Sequence, residues 1–180
     1  MVSFHDQKQR KLKYTWEMIQ VNEGWVGINT AHPNRLVAEA IQAERITELL
    51  NYSDIRREVR IGKHSRLDLL LTGRPGRCYV EVKNVTLLEE NQAHFPDAVT
   101  VRGQRHLQEL IRIVRKGDRA MIFFVVQRQD AKMFTPADHI DPEYGRLLRK
   151  AVKTGVKVSV YQAEVNPQGI RISHPVPIQL

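Results

Sequence analysis

The chain has 180 residues and a mass of 20.9 kDa, with 42% hydrophobic and 27% charged residues. That is the size of one ordinary soluble domain, able to bury roughly 70% of its unfolded surface. No apolar run reaches about 18 residues, which excludes a helical membrane span. The single cysteine, Cys78, excludes an intramolecular disulfide and a cysteine-built zinc site, and fits a reducing, cytoplasmic compartment. A formal charge of +8 points to an anionic partner, most often nucleic acid.

In chain order, Lys8, Arg10, Lys11 and Lys13 form a basic N-terminal segment with no apolar core behind it, so no secretory leader is expected. Tyr14 to Gln20 alternates and is rich in β-formers. Trp25 to Ile28 follows the Asn22-Glu23-Gly24 turn, and the two read as a hairpin. His32-Pro33-Asn34 opens a helix expected to run to about Leu50, with Leu36, Ala40, Ala43, Ile46, Leu49 and Leu50 at helical spacing. Strands are expected over Ile55 to Ile61, Leu67 to Leu71 and Cys78 to Val85, then a polar loop ending at Phe95-Pro96-Asp97. A second helix runs from about Thr100 to Arg115 and stops at Gly117. Ala120 to Val126 is apolar throughout, as in a strand covered on both faces. A third helix from Pro142 to Thr154 ends at Gly155, a strand spans Val156 to Tyr161, and Ile170 to Leu180 reads as an edge segment. With no repeat and no linker, this order predicts one α/β domain, a mixed central β-sheet flanked by helices.

The positive charge is uneven. Arg56, Arg57, Arg60, Lys63 and Arg66 face one acid, Glu58; six bases from Arg102 to Arg119 face Glu109 and Asp118; Arg146, Arg149, Lys150, Lys153 and Lys157 run without an acid. Each stretch alone reads equally as a solvated face or as part of a phosphate-binding surface with steep salt dependence.

Chemistry concentrates between Ser65 and Val85. In Leu67-Asp68-Leu69-Leu70-Leu71 the pleat sends Leu67, Leu69 and Leu71 to one face and Asp68 to the other; in Tyr79-Val80-Glu81-Val82-Lys83, Glu81 and Lys83 share a face. A turn centred on Pro75-Gly76 sets Asp68 opposite Lys83, whereas one centred on Arg74-Pro75 sets Asp68 opposite Glu81. Either register gathers Asp68, Glu81 and Lys83. Like charges on cross-strand neighbours destabilise by up to about 1 kcal/mol, and more when desolvated. Relief comes from a proton, from Lys83, or from a divalent cation; oxygen ligands select magnesium, manganese or calcium. A plain ion-pair cluster on a solvated face remains the alternative.

Glu39 is in helical line with Ala43, Ile46 and Leu50 and reads either as a helix-dipole partner or as an additional metal ligand aimed at the cluster. On the second helix Arg102, Arg105, His106 and Glu109 form a polar face, facing either phosphate or solvent. The other histidines, His5, His32, His64, His94, His139 and His174, show no ligand spacing and read as loop or surface residues.

A helical carboxylate, then D-x12-E-V-K on a hairpin, then another helix resembles the order of the restriction-endonuclease-like, PD-(D/E)xK nuclease fold. More narrowly, the chain resembles the sugar fermentation stimulation protein A family. The resemblance rests on Lys13-Tyr14-Thr15-Trp16-Glu17, Asn29-Thr30, Asn34-Arg35-Leu36, Glu39-Ala40-Ile41, Ser65-Arg66-Leu67-Asp68, Val80 through Leu87, Phe95 through Thr100, Arg102-Gly103, His106-Leu107, Pro136-Ala137 and His139-Ile140-Asp141.

It implies a bacterial cytoplasmic protein that binds DNA without marked sequence preference and has a proposed regulatory part in sugar, particularly maltose, metabolism. It also implies a nuclease-like centre with Asp68, Glu81 and Lys83 as catalytic positions. Mg2+ or Mn2+ would be held by Asp68, Glu81 and Glu39, with Arg35, Arg66, Arg102, Arg105 and His106 toward the nucleic acid. RNA is a second ligand class, and an active magnesium-dependent phosphodiesterase is the alternative to a pure binder. Family members usually begin with a small oligonucleotide-binding-like barrel. Residues 1–13 are therefore expected to be what is left of the junction to a missing N-terminal domain. The single nuclease-like domain is expected to bind DNA more weakly than a full-length form and to self-associate as a homodimer.

Overall fold

A computed structural model describes residues 1–180 except 8, 10 and 62–64, so Lys8, Arg10, Lys63 and His64 of the expectations above lie outside the described residues. The centre is a six-stranded mixed sheet. Its strands are β5 (Tyr52–Ile61), β6 (Ser65–Gly73), β7 (Gly76–Val85), β10 (Arg119–Val126), β12 (Lys157–Asn166) and β13 (Gly169–Pro175), in the order β13-β12-β10-β7-β6-β5. The meander β5-β6-β7 is antiparallel, β10 runs parallel to both β7 and β12, and β13 closes one edge antiparallel to β12. The parallel centre explains the unbroken apolar run in β10, whose residues from Ala120 onward are all buried.

Helix α1 (Pro33–Gln42) covers one face with Leu36, Val37, Ala40 and Ile41 over Leu69, Leu71, Val80 and Val82. Helices α2 (Val101–Arg115) and α3 (Pro142–Thr154) cover the other, with Leu107, Leu110, Leu148 and Ala151 against Ile122, Phe124 and Val160. The Thr100 side chain caps α2 by accepting from Gly103 N at 3.1 Å, and Asp141 caps α3 by accepting from Tyr144 N at 2.9 Å. Gly155, at φ +108°, ends α3 in the left-handed conformation that glycine adopts without strain.

Several boundaries differ from expectation for identifiable reasons. The single strand expected over 14–20 is two. Tyr14–Trp16 (β2) pairs with Val2–Phe4 (β1), and Met18–Val21 (β3) pairs with Gly24–Gly27 (β4), the partner changing at Glu17. The helix expected to reach Leu50 stops at Gln42. Glu44 turns left-handed at φ +55°, its N–H reaching Ile41 O at 3.0 Å while Arg45 N reaches Ala40 O at 2.9 Å, and Thr47–Leu49 forms a separate 3-10 turn. Ala43 is therefore exposed, whereas Ile46 and Leu49 return to the core as a separate segment.

Leu67 does not share a face with Leu69 and Leu71; it packs in the α2–α3 layer. Opposite Asp68, between the Arg57–Leu69 and Val59–Leu67 pairs, Glu58 has φ +54°, and this is where the β5–β6 ribbon turns. The polar loop expected before Pro96 contains two short strands, β8 (Leu87–Glu89) and β9 (Gln92–Phe95), and β9 pairs in parallel with β11 (Met133–Pro136).

Candidate functional site

The β6–β7 hairpin turns at Arg74-Pro75, with Gly76 following at φ +97°. The register pairs Gly73 with Gly76 and Leu69 with Val80, so that its continuation sets Asp68 across from Glu81. This is the second of the two registers weighed from sequence. The regular ladder ends there: Asp68 Oδ2 accepts Val82 N–H at 2.8 Å, a carboxylate oxygen taking a main-chain donor. Asp68, Glu81 and Lys83 line one cleft of about 590 Å³, with Asn34, Phe95 and Arg102 among its other walls.

Glu81 is the deepest of the three, 2% exposed. Lys83 Nζ donates to its Oε1 at 2.5 Å, and His106 Nδ1 donates to the same oxygen. A carboxylate oxygen only accepts, so the contact with Glu81 places a proton on His106 Nδ1. Burial pushes the Glu81 carboxyl up, but the His106 hydrogen bond and the charges of Lys83 and His106 outweigh it and hold the group below the ordinary glutamate value. Asp68 goes the other way. Burial raises it first and the Glu81 charge second, only partly offset by Val82 N–H, Lys83 and Asn34. The two carboxyls are thus driven apart in acidity, as expected of a crowded acid pair.

Glu81 Oε2 is buried and has no hydrogen-bond partner among the described residues. A buried carboxylate oxygen without a partner is costly, and a second carboxylate beside it makes an oxygen-rich spot suited to a hard divalent cation. Asp68 and Glu81 therefore fit such an ion, with Lys83 beside them.

The structure places Glu39 elsewhere. Its side chain is 58% exposed, lies 3.7 Å from Arg35 Nε and does not line the cleft. The helix position that reaches the cluster is Asn34, whose Nδ2 donates to Asp68 Oδ1 at 2.6 Å. Glu58, read from sequence only as the acid of a basic stretch, lines the cleft as a further carboxylate. His106 faces neither phosphate nor solvent at the helix surface; it is 6% exposed and buried against Glu81. Arg102 stands at the cleft wall, whereas Arg105 is exposed on the same helix. Arg35 is shared between His32 and Glu39, and Arg66 lies 3.9 Å from Glu58. On α3, Arg146 pairs with Glu143 of the same helix and Arg149 with Asp138 of the segment before it, so the C-terminal basic stretch is partly neutralised within the fold.

The chain as a whole is similar to known proteins. The profile described as "Sugar fermentation stimulation protein RE domain" matches residues 31–169. A sugar fermentation stimulation protein homolog of Geobacter sulfurreducens is 56% identical over 177 residues, covering 98% of this chain and 76% of that protein. The Geobacter metallireducens homolog is 58% identical over 172 residues, covering 95% and 74%. Among solved structures, that of Pyrococcus furiosus SfsA in complex with Ca2+ superposes with a TM-score of 0.92 at 30% identity, covering 99% of this chain and 77% of that one. No helix among the described residues is long and apolar enough to cross a membrane.

Proposed function

The chain belongs to the sugar fermentation stimulation protein family, with a restriction-endonuclease-like fold, and on that premise we propose that its cleft binds DNA with little sequence preference and hydrolyses its phosphodiester bonds with a divalent cation. The observation that carries this reading is the unpartnered, buried Glu81 Oε2 beside the Asp68 carboxylate, with Lys83 Nζ in the same cleft. A surface meant only to hold phosphate gains nothing from two inward carboxylates, which repel it. The structural relative that carries Ca2+ supports a hard cation.

When bound, the cation polarises the phosphodiester and makes a bound water more acidic. Asp68 Oδ and Glu81 Oε2 would hold it. Asn34 and Val82 N–H fix the Asp68 carboxylate in one orientation. Lys83 Nζ keeps donors beyond its Glu81 contact, which orient the attacking water and offset charge growing on the non-bridging oxygens. Arg102 binds phosphate at the wall, a sequence-independent contact that does not separate DNA from RNA.

One observation favours binding without turnover: Lys83 and His106 already satisfy Glu81 Oε1, so the acid is partly neutralised with no ion present. Cleavage of plasmid, single-stranded DNA and RNA with Mg2+ or Mn2+ separates the readings. The proposal expects products from wild type that vanish in Asp68→Ala and Lys83→Ala. Salt-sensitive binding without product leaves the binder; product from both variants identifies a contaminant and removes the hydrolytic reading.

A further inference from the structure

Away from the cleft, the short strands β8 and β9 and the segment between β11 and α3 bring Glu89, His94 and His139 together. Their potential ligand atoms all lie within 4.8 Å of one another. His139 Nε2 is 3.3 Å from both Glu89 oxygens, and His94 Nε2 is 3.8 Å from Glu89 Oε2. The imidazole rings meet edge to face, centroids 5.7 Å apart at 82°. Two donors each about 2.0–2.1 Å from a tetrahedral zinc stand roughly 3.4 Å apart, so both histidine separations from Glu89 are already close to those of a coordination shell. His94 is the unusual member. Its side chain is 11% exposed, Nδ1 is buried without a hydrogen-bond partner among the described residues, and Nε2 stands beyond hydrogen-bond range of Glu89.

We propose that Glu89, His94 and His139 form a second metal site, distinct from the cleft, for a borderline d-block cation such as Zn2+. Two imidazoles and one carboxylate suit zinc, whereas the all-oxygen pair in the cleft suits Mg2+, Mn2+ or Ca2+, so the sites sort ions by chemistry. Glu89 and His139 are about half exposed, which leaves the fourth position to water and lets both side chains move inward around the ion. The role is positional. His139 lies two residues before Asp141, whose carboxylate accepts from Thr100 N at 2.9 Å and from Gln104 Nε2 at 2.9 Å, as well as capping α3. Tying His139 to β8 and β9 therefore holds the segment that orients the start of α2, the helix carrying Arg102 and His106. This site stands whether or not the cleft hydrolyses anything.

The test is equilibrium dialysis of tag-free protein against Zn2+, with melting temperature and the visible spectrum of the Co2+ form as second readouts. Wild type and the cleft variant Asp68→Asn/Glu81→Gln are expected to retain one zinc and gain thermal stability. His139→Asn and Glu89→Gln, both at half-exposed positions that do not threaten folding, should bind more than about tenfold more weakly and lose the Co2+ bands. No zinc retained by wild type, wild-type affinity in both ligand variants, or loss of zinc only in the cleft variant would each overturn the assignment.

Discussion

Asn34 Nδ2 donates to Asp68 Oδ1 at 2.6 Å, joining the first turn of α1 to the cleft carboxylate of β6. Among the described residues, Asp68 is hydrogen-bonded by this amide and by Val82 N–H, so removing the amide frees the carboxylate to rotate about the remaining contact. Asn34→Ala is expected to cost about 1 kcal/mol of stability and to weaken Ca2+ or Mg2+ binding in the cleft. Glu39→Ala, on the exposed side of the same helix, should stay within about 0.5 kcal/mol of wild type and bind the ion unchanged. Urea melts with and without Ca2+ check both; equal behaviour of the two variants would separate Asn34 from the site.

The arginines should divide by position. Arg102 lines the cleft, whereas Arg35 and Arg66 are engaged by Glu39 and Glu58. Arg102→Ala is expected to weaken DNA binding alike for every sequence and to lower the salt slope by about 1. Arg35→Ala and Arg66→Ala should do so by less. Fluorescence anisotropy across a salt series reads the difference.

The cluster on the hairpin was legible because strand alternation has a period of two, and either turn register leaves Asp68, Glu81 and Lys83 on one side. The helix contribution was not. Reading the helix to Leu50 sets its phase with Ala43, Ile46 and Leu50, which all lie past the helix end at Gln42 and belong to no α-helix with Glu39. Phased on Leu36, Val37, Ala40 and Ile41 alone, the stripe leaves Glu39 outside and Asn34 at its border. The three-stranded sheet was hidden for another reason. Its strands are three or four residues long, and β8 and β9 are joined by Glu90 and Asn91, at φ +49° and +65°, without the glycine that usually marks such a turn. With those strands unseen, nothing in the spacing of His94 and His139 suggested that they meet.

Glu17 gives a pH signature of its own. It accepts from Ser3 Oγ, from Asn29 Nδ2 at 2.8 Å and from His32 Nε2 at 2.6 Å, binding the N-terminal strands to the start of α1. Burial pushes its carboxyl up, but these hydrogen bonds and the His32 charge outweigh burial and hold it below the ordinary glutamate value. The folded chain then binds fewer protons than the unfolded one in that window. The stabilisation is complete above the ordinary glutamate range and is lost as pH falls through the lowered value. Glu17→Gln should be less stable than wild type by about 1 kcal/mol at neutral pH, with the gap closing in acid. Chemical denaturation at several pH values tests the sign.

Asp141 receives main-chain N–H groups from Thr100 and Tyr144 and the Gln104 amide, so one carboxylate serves the starts of two helices. Asp141→Ala is expected to cost about 2–4 kcal/mol, more than a single cap, because it strands donors on both. Hydrogen exchange should report the loss in the first turns of α2 and α3 together; loss confined to α3 would show that the Thr100 contact carries little.

Strand β5 forms the outer rim of the central sheet and carries Arg56, Arg57 and Arg60 in exposed positions. A bare rim of amides and carbonyls invites another molecule to add its own strand, and crowded guanidinium groups oppose that approach by mutual repulsion and hydration. Part of the excess positive charge therefore guards the fold against fibrillar stacking, an effect that persists when no polyanion is near.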